Sequence, residues 1–196
     1  QATAALMGAK IVFADIQLDT GNVDPKAVEA AITARTKAIV AVDYAGHPAE
    51  LDELRDIANK HGIYLIEDAA HALGARYDGK LIGNHSEFVM FSLQAIKHMT
   101  TVDGGMLALN GGADTDALLE AGRKIRWFGI DRDKDKVSSL GERMYSLTEV
   151  GYKYHMNDLA AAVGLGNLDN IAKRIKRRQV IASRFRKELS SVAGLT

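Results

Sequence analysis

Cysteine is absent from the 196-residue chain, which removes disulfide staples, cysteine-ligated zinc, iron–sulfur clusters and thiol catalysis together. Net charge is absent as well: 25 Lys and Arg balance 25 Asp and Glu. No field therefore steers the chain toward nucleic acid or an anionic membrane, and neither is an expected partner. No run approaches the roughly 18–20 apolar residues of a membrane span. The opening residues, Gln1 to Gly8, have no initiator Met, no basic segment and no long apolar stretch, so they do not read as a signal peptide. They read as helix interior, and the chain is expected to be a piece of something longer.

Apolar residues make up 47% of the chain and charged residues 26%, which is the balance of a folded domain rather than a disordered one. Short apolar runs of strand type occur at Lys10–Asp15, Ala38–Asp43, Ile63–Asp68, Glu87–Leu93 and Met106–Asn110. Helical spacing occupies the intervals. Pro25 opens one helix with an apolar face at Val28, Ala31 and Ile32, and Leu51–His61 forms another that stops at Gly62. A turn at Asn110-Gly111-Gly112 precedes a helix over Ala117–Ile125. Strands alternating with helices of this length predict crossover units, hence an α/β fold with a mostly parallel sheet covered by helices on both faces. Asp131–Glu142 reads as an exposed loop. Two helices should follow, Asn157–Asn167 and Asp169–Ala193, giving a helical C-terminal end; the basic run Lys173–Arg178 reads as a solvated face.

Ligands of open parallel sheets collect at the carboxyl ends of the strands, so Asp15, Asp43, Asp68 and Ser92 are the residues to examine. Asp68 follows a buried strand among alanines and needs a donor or cation to stay ionised; by itself it reads equally as a cap of the next turn. Lys97 follows Ser92 within a nearly uncharged stretch, Ser92 to Thr101, before Asp103-Gly104-Gly105. Alone it is an ordinary surface lysine, but such a setting also suits a Schiff-base nucleophile. Lysine, carboxylate and hydroxyl together meet the needs of pyridoxal 5′-phosphate: an amine for the aldehyde, an anion for the pyridine nitrogen and a donor for the phosphate. An ordinary nucleotide-binding domain is disfavoured, because no Gly-x-Gly-x-x-Gly follows the first strand.

Several blocks then occur in a fixed order: Gly8–Asp15, Ala30–Ile39, Gly46–Ala49, Glu67–His71, Ser92–Lys97, Asp103–Gly105 and Gly151–Ala162. Through them the sequence resembles the DegT/DnrJ/EryC1/StrS sugar aminotransferases, members of the fold-type-I pyridoxal-phosphate enzymes. The resemblance implies that Asp68 meets the pyridine nitrogen, His71 the cofactor's 3′-oxygen, Ser92 the phosphate and Lys97 the aldehyde. Gln94 stands where many members have His or an aromatic residue. Gly151–Asn157 resembles a loop that enters the neighbouring subunit's site, with Lys153 where members often have Asn; Lys153 or His155 would then approach the partner's phosphate in a two-fold homodimer.

What the resemblance implies for function is a cytoplasmic enzyme that transfers an amino group, from a donor such as glutamate, to a nucleotide-linked keto-sugar. Lysine rather than histidine at position 97 favours transamination over the family's dehydratase branch. Residues 1–168 correspond to a cofactor-binding large domain lacking its N-terminal phosphate turn, and 169–196 to the connecting helix of a small domain beyond Thr196. The rival expectation is a non-catalytic fragment or assembly module of such an enzyme.

Overall fold

The computed structural model describes residues 2–111, 114–132, 137–142, 144–147 and 149–194. A short helix, α1 (Ala2–Leu6), leads to α2 (Pro25–Ala31). Asp24 caps α2 by accepting the Lys26 N–H at 3.0 Å, and Pro25 takes the first helical position. Strand β1 (Ala38–Val42) follows, then α3 (Leu51–His61) and β2 (Tyr64–Asp68). Helix α3 places Asp52 and Glu53 in its first turn and Lys60 and His61 in its last, which suits its dipole, and Gly62 ends it at φ 61°. A small hairpin, β3 (Arg76–Tyr77) and β4 (Lys80–Leu81), precedes β5 (Phe88–Ser92) and β6 (Gly105–Leu109). Three further helices complete the described chain: α4 (Thr115–Ile125), α5 (Asp158–Leu168) and α6 (Ile171–Leu189).

The main sheet has the order β1-β2-β5-β6, with β1, β2 and β5 parallel and β6 antiparallel to β5. It is the mostly parallel sheet with helices that the alternation of elements predicts. Ala41, Glu67 and Val89 lie side by side in register and are fully buried. They belong to the face packed beneath α2 and α3, where Val28, Ile39, Leu51, Leu54 and Leu65 form the core. Side chains alternate along a strand, so Val40, Val42, Tyr64 and Met90 fall on the opposite face, and all four are exposed. Helices α5 and α6 lean on the turns that follow β5 and β2: Asn167 Nδ2 donates to the Thr100 carbonyl at 3.2 Å, and Ile175 closes on Gly74.

One local expectation needs revision, and part of another lies outside the described residues. Lys10–Asp15 forms no strand; an isolated bridge between Ile16 and Val23 is the nearest pairing, and Val12 and Phe13 are exposed. An apolar run becomes a strand only where a neighbour supplies a ladder, and no described strand pairs with this one. Asp15 therefore does not stand at the sheet edge; its Oδ1 accepts the Ile16 N–H instead. Of the loop expected over Asp131–Glu142, residues 133–136 lie outside the described residues, as does Gly112 of the turn before α4. In the remainder of the loop, Ser138 Oγ gathers the N–H groups of Leu140 and Glu142.

Buried Asn22 ties the chain before α2 to the turn after β1. Its Nδ2 donates to the carbonyls of His47 and Pro48, both at 3.0 Å, and its Oδ1 accepts the Tyr44 N–H at 2.9 Å. Asn22→Ala strands all three backbone groups, and the expected cost is about 3 kcal/mol of stability, read from urea denaturation.

Candidate active site

β2 ends at Asp68 and β5 at Ser92, on adjacent parallel strands. Asp68 is in register with Val42 on one side and Met90 on the other, so it shares their open face. Ser92, two residues beyond Met90, lies on that face too. Both therefore sit at the carboxyl edge of the parallel strands, on the side that α2 and α3 leave uncovered. Asp68 caps the turn that follows it, its Oδ1 accepting the Ala70 N–H at 3.1 Å. The cap uses one carboxylate oxygen; no other hydrogen bond to the carboxylate occurs among the described residues.

Lys97 is carried on a loop closed at its base. The Leu93 N–H donates to the Gly104 carbonyl at 2.8 Å, and the Leu93 carbonyl accepts from the Thr101 N–H at 2.9 Å and the Thr100 hydroxyl at 3.1 Å. Val102, at φ 73°, holds a left-handed conformation that costs a β-branched residue of order 1–3 kcal/mol, so the closure is tight enough to impose it. Within the loop the Lys97 N–H donates to the Gln94 carbonyl at 2.9 Å, and Gln94 Oε1 accepts the Ile96 N–H at 3.1 Å. Gln94 thus shapes the turn that presents Lys97. The lysine is half-buried, and its amine forms no ion pair among the described residues.

His71, three residues past the end of β2, is exposed and stands edge-on to Tyr44, with ring centroids 6.4 Å apart. The turn carrying Tyr44 passes close beneath: a Cβ at Gly46, where φ is 86°, would lie 2.9 Å from the His71 carbonyl oxygen. Only glycine allows that approach. His98 is half-buried; burial first, then the charges of Arg178, Lys97 and His71, disfavour its protonated form. The turns after β2 and β5 therefore approach each other, and Arg178, on the basic run that is exposed as expected, adds positive charge near His98.

Lys153 is positioned differently. It is exposed and bridges to Trp127 on the segment leaving α4, next to stacked Tyr152 and Tyr154 with ring centroids 4.9 Å apart. His155 turns inward, its ring 3.9 Å from that of Trp127. Within one chain, then, Asp68, His71, Ser92 and Lys97 gather around one sheet edge, and Lys153 belongs to another part of the fold. Tyr44 and Arg178 are the neighbours that spacing alone does not reveal, since neither lies in a strand-end pattern.

The donor set suits pyridoxal phosphate chemically. Among the described residues, Asp68 has a carboxylate oxygen to spare and Lys97 an unpaired amine. The Ser92 hydroxyl accepts from the Gln94 N–H at 3.3 Å and keeps its own proton free to donate. A carboxylate, an amine and a hydroxyl available at the carboxyl edge of a mostly parallel, helix-packed sheet are the features of a pyridoxal-phosphate transferase fold.

Comparison with known proteins agrees with that class. The chain belongs to the DegT/DnrJ/EryC1/StrS aminotransferase family, which it matches over residues 1–196. It is 44% identical over 188 residues to the uncharacterized protein MJ1066 of Methanocaldococcus jannaschii, a match covering 95% of this chain and 48% of that protein. The crystal structure of DesI, solved in the presence of its TDP-sugar product, superposes with a TM-score of 0.82 at 35% identity, over 100% of this chain and 46% of DesI. The PLP form of a putative sugar aminotransferase, Spr1654 from Streptococcus pneumoniae, gives a TM-score of 0.87 at 28% identity, over 97% of this chain and 50% of that one. The chain thus spans about half the length of the relatives it matches.

Proposed function

We propose that the protein to which this chain belongs is a pyridoxal-phosphate-dependent aminotransferase that moves an amino group from glutamate to a nucleotide-linked keto-sugar. The observation that carries this reading is the placement of Asp68 and Ser92 at the ends of adjacent parallel strands, with Lys97 on the loop that follows Ser92. Family membership supports the reaction class, and the TDP-sugar product of DesI supports the substrate class.

When bound, pyridoxal phosphate supplies an electrophilic aldehyde and a ring that accepts electron density. Asp68 would keep the ring nitrogen protonated through its negative charge, which an amide lacks. The Ser92 hydroxyl, its proton free, would donate to a phosphate oxygen. Lys97 Nζ would hold the aldehyde and, as a free amine, could carry a proton to and from the reacting carbon. His71 would flank the cofactor's 3′-oxygen. Lys153 would contribute a cation to the phosphate bound by a second copy, in a homodimer with shared sites; exposure of Lys153, Tyr152 and Tyr154 supports that use. Residues 1–168 act as the large domain and 169–196 as the connection to a small one, in a cytoplasmic protein.

The open sheet face of Val40, Val42, Tyr64 and Met90 favours a second reading, in which the chain is a module that other segments cover and that does not catalyse alone. Incubation of the protein with pyridoxal phosphate, glutamate and a panel of nucleotide-linked keto-sugars separates the two. The proposal expects 2-oxoglutarate to form in equal amount with an aminated sugar. Cofactor binding without product under every donor and acceptor would support the module instead.

A further inference from the structure

Two acids lie on the covered face of the sheet, directly below the candidate site. Asp43 follows β1 and Glu67 precedes Asp68 in β2; both are 0% exposed. Half of their oxygens are conventionally satisfied: Asp43 Oδ1 accepts the Ala49 N–H at 3.0 Å, and Glu67 Oε2 accepts the Ser86 hydroxyl at 2.8 Å. The other two, Asp43 Oδ2 and Glu67 Oε1, are buried and receive no N–H or hydroxyl hydrogen from the described residues. The register of β1 on β2 pairs Ala41 with Glu67, and the Asp43 N–H donates to the Asp68 carbonyl, so Asp43 and Glu67 are diagonal neighbours on the covered face.

A pair of carboxylates in dry contact is strongly repulsive, whereas one proton between them makes a short, charge-assisted O–H···O bond. The surroundings decide which acid holds it. Asp68 adds negative charge near Asp43, while Arg55 of α3 and the Ser86 hydroxyl favour charge on Glu67. Burial, the largest cause, pushes Asp43 from 3.8 up to about 7 and raises Glu67 as well.

We propose that Asp43 and Glu67 share one proton, held on Asp43 Oδ2 and donated to Glu67 Oε1, and that this bond positions Asp68, the next residue of β2. The mechanical link is short. The Asp43 N–H donates to the Asp68 carbonyl at 3.0 Å, and Glu67 is the preceding residue of the same strand. Asp43 and Glu67 are positioning residues, since both face away from the open side of the sheet. The positioning half rests on the reading of Asp68 as the cofactor's partner; the shared proton does not.

The sign of the pH effect follows from linkage. The folded chain keeps a proton that the unfolded chain releases above 3.8, so this stabilisation is complete at lower pH and is lost as pH rises to about 7. Asp43→Asn replaces the shared proton with a permanent N–H and removes that dependence. Glu67→Gln does the same from the other side, with Nε2–H toward Asp43 and its carbonyl toward Ser86, and serves if Asp43→Asn fails to fold.

The test compares parent, Asp43→Asn and Glu67→Gln by urea denaturation, infrared spectroscopy and pyridoxal-phosphate titration. Between about pH 5 and pH 8, the folding constant of either variant relative to the parent should rise by up to about a hundredfold. The parent at about pH 6 should show a carboxylic-acid C=O band that Asp43→Asn lacks. Cofactor affinity should fall with pH more steeply in the parent than in Asp43→Asn. A pH-independent stability ratio with no acid band overturns the shared proton. Identical affinity profiles overturn the positioning role. If no variant binds the cofactor, the functional reading and the positioning half fall together, while stability and infrared data still decide the proton.

Discussion

Lys97→Ala is expected to abolish covalent retention of pyridoxal phosphate, with loss of its visible absorption band, while the circular dichroism spectrum and urea midpoint remain those of the parent. The fold is spared because the loop does not depend on the Lys97 side chain. Its base is closed by Leu93, Thr100, Thr101 and Gly104, and its tip by the backbone of Lys97 and the side chain of Gln94. The cofactor is not spared, because no other lysine follows a strand of the parallel set. Lys80 lies in the β3–β4 hairpin and Lys124 in α4, where it pairs with Glu120 and Asp131. An undiminished band in Lys97→Ala would remove this lysine from the chemistry.

Asp68→Asn is expected to lower transamination by roughly a thousandfold or more, equivalent to about 4 kcal/mol of barrier, while pyridoxal phosphate still binds. The amide keeps the carbonyl oxygen that caps the Ala70 N–H, so the turn after β2 survives. What is lost is the negative charge that holds a proton on the ring nitrogen. The contrast between retained binding and lost turnover, seen by equilibrium titration beside steady-state rates, distinguishes this role from a structural one. Near-normal turnover would mean that the ring nitrogen meets another group.

The parts of this architecture legible in the sequence are those set by local chemistry. Helix α3 runs over Leu51–His61 as its spacing and Gly62 predict, and β1, β2 and β5 fall within the apolar runs assigned to them. Asp68 and Ser92 were readable as strand ends because an apolar run stops at each. Pairing was not readable. Nothing in Met106–Asn110 announces that β6 runs antiparallel to β5, and Lys10–Asp15 has the pattern of a strand without a described ladder to join. Contacts between distant turns were hidden for the same reason. Tyr44 meets His71, and Asp43 comes beside the strand that carries Glu67, only because β1 and β2 lie side by side in one register. Position along the chain identified Lys153 as a cation in a distinctive block, but its bridge to Trp127 depends on tertiary folding that no periodicity encodes.

The central claim, that this sheet edge holds pyridoxal phosphate through Lys97, is tested most directly by borohydride reduction of the cofactor-loaded protein followed by proteolysis and mass spectrometry. Reduction makes the carbon–nitrogen link permanent and marks the lysine that formed it. The account predicts a single phosphopyridoxyl-modified peptide, spanning Ser92 to Thr101, with the added mass on Lys97. Modification at another lysine, or no modified peptide from protein saturated with the cofactor, would contradict it.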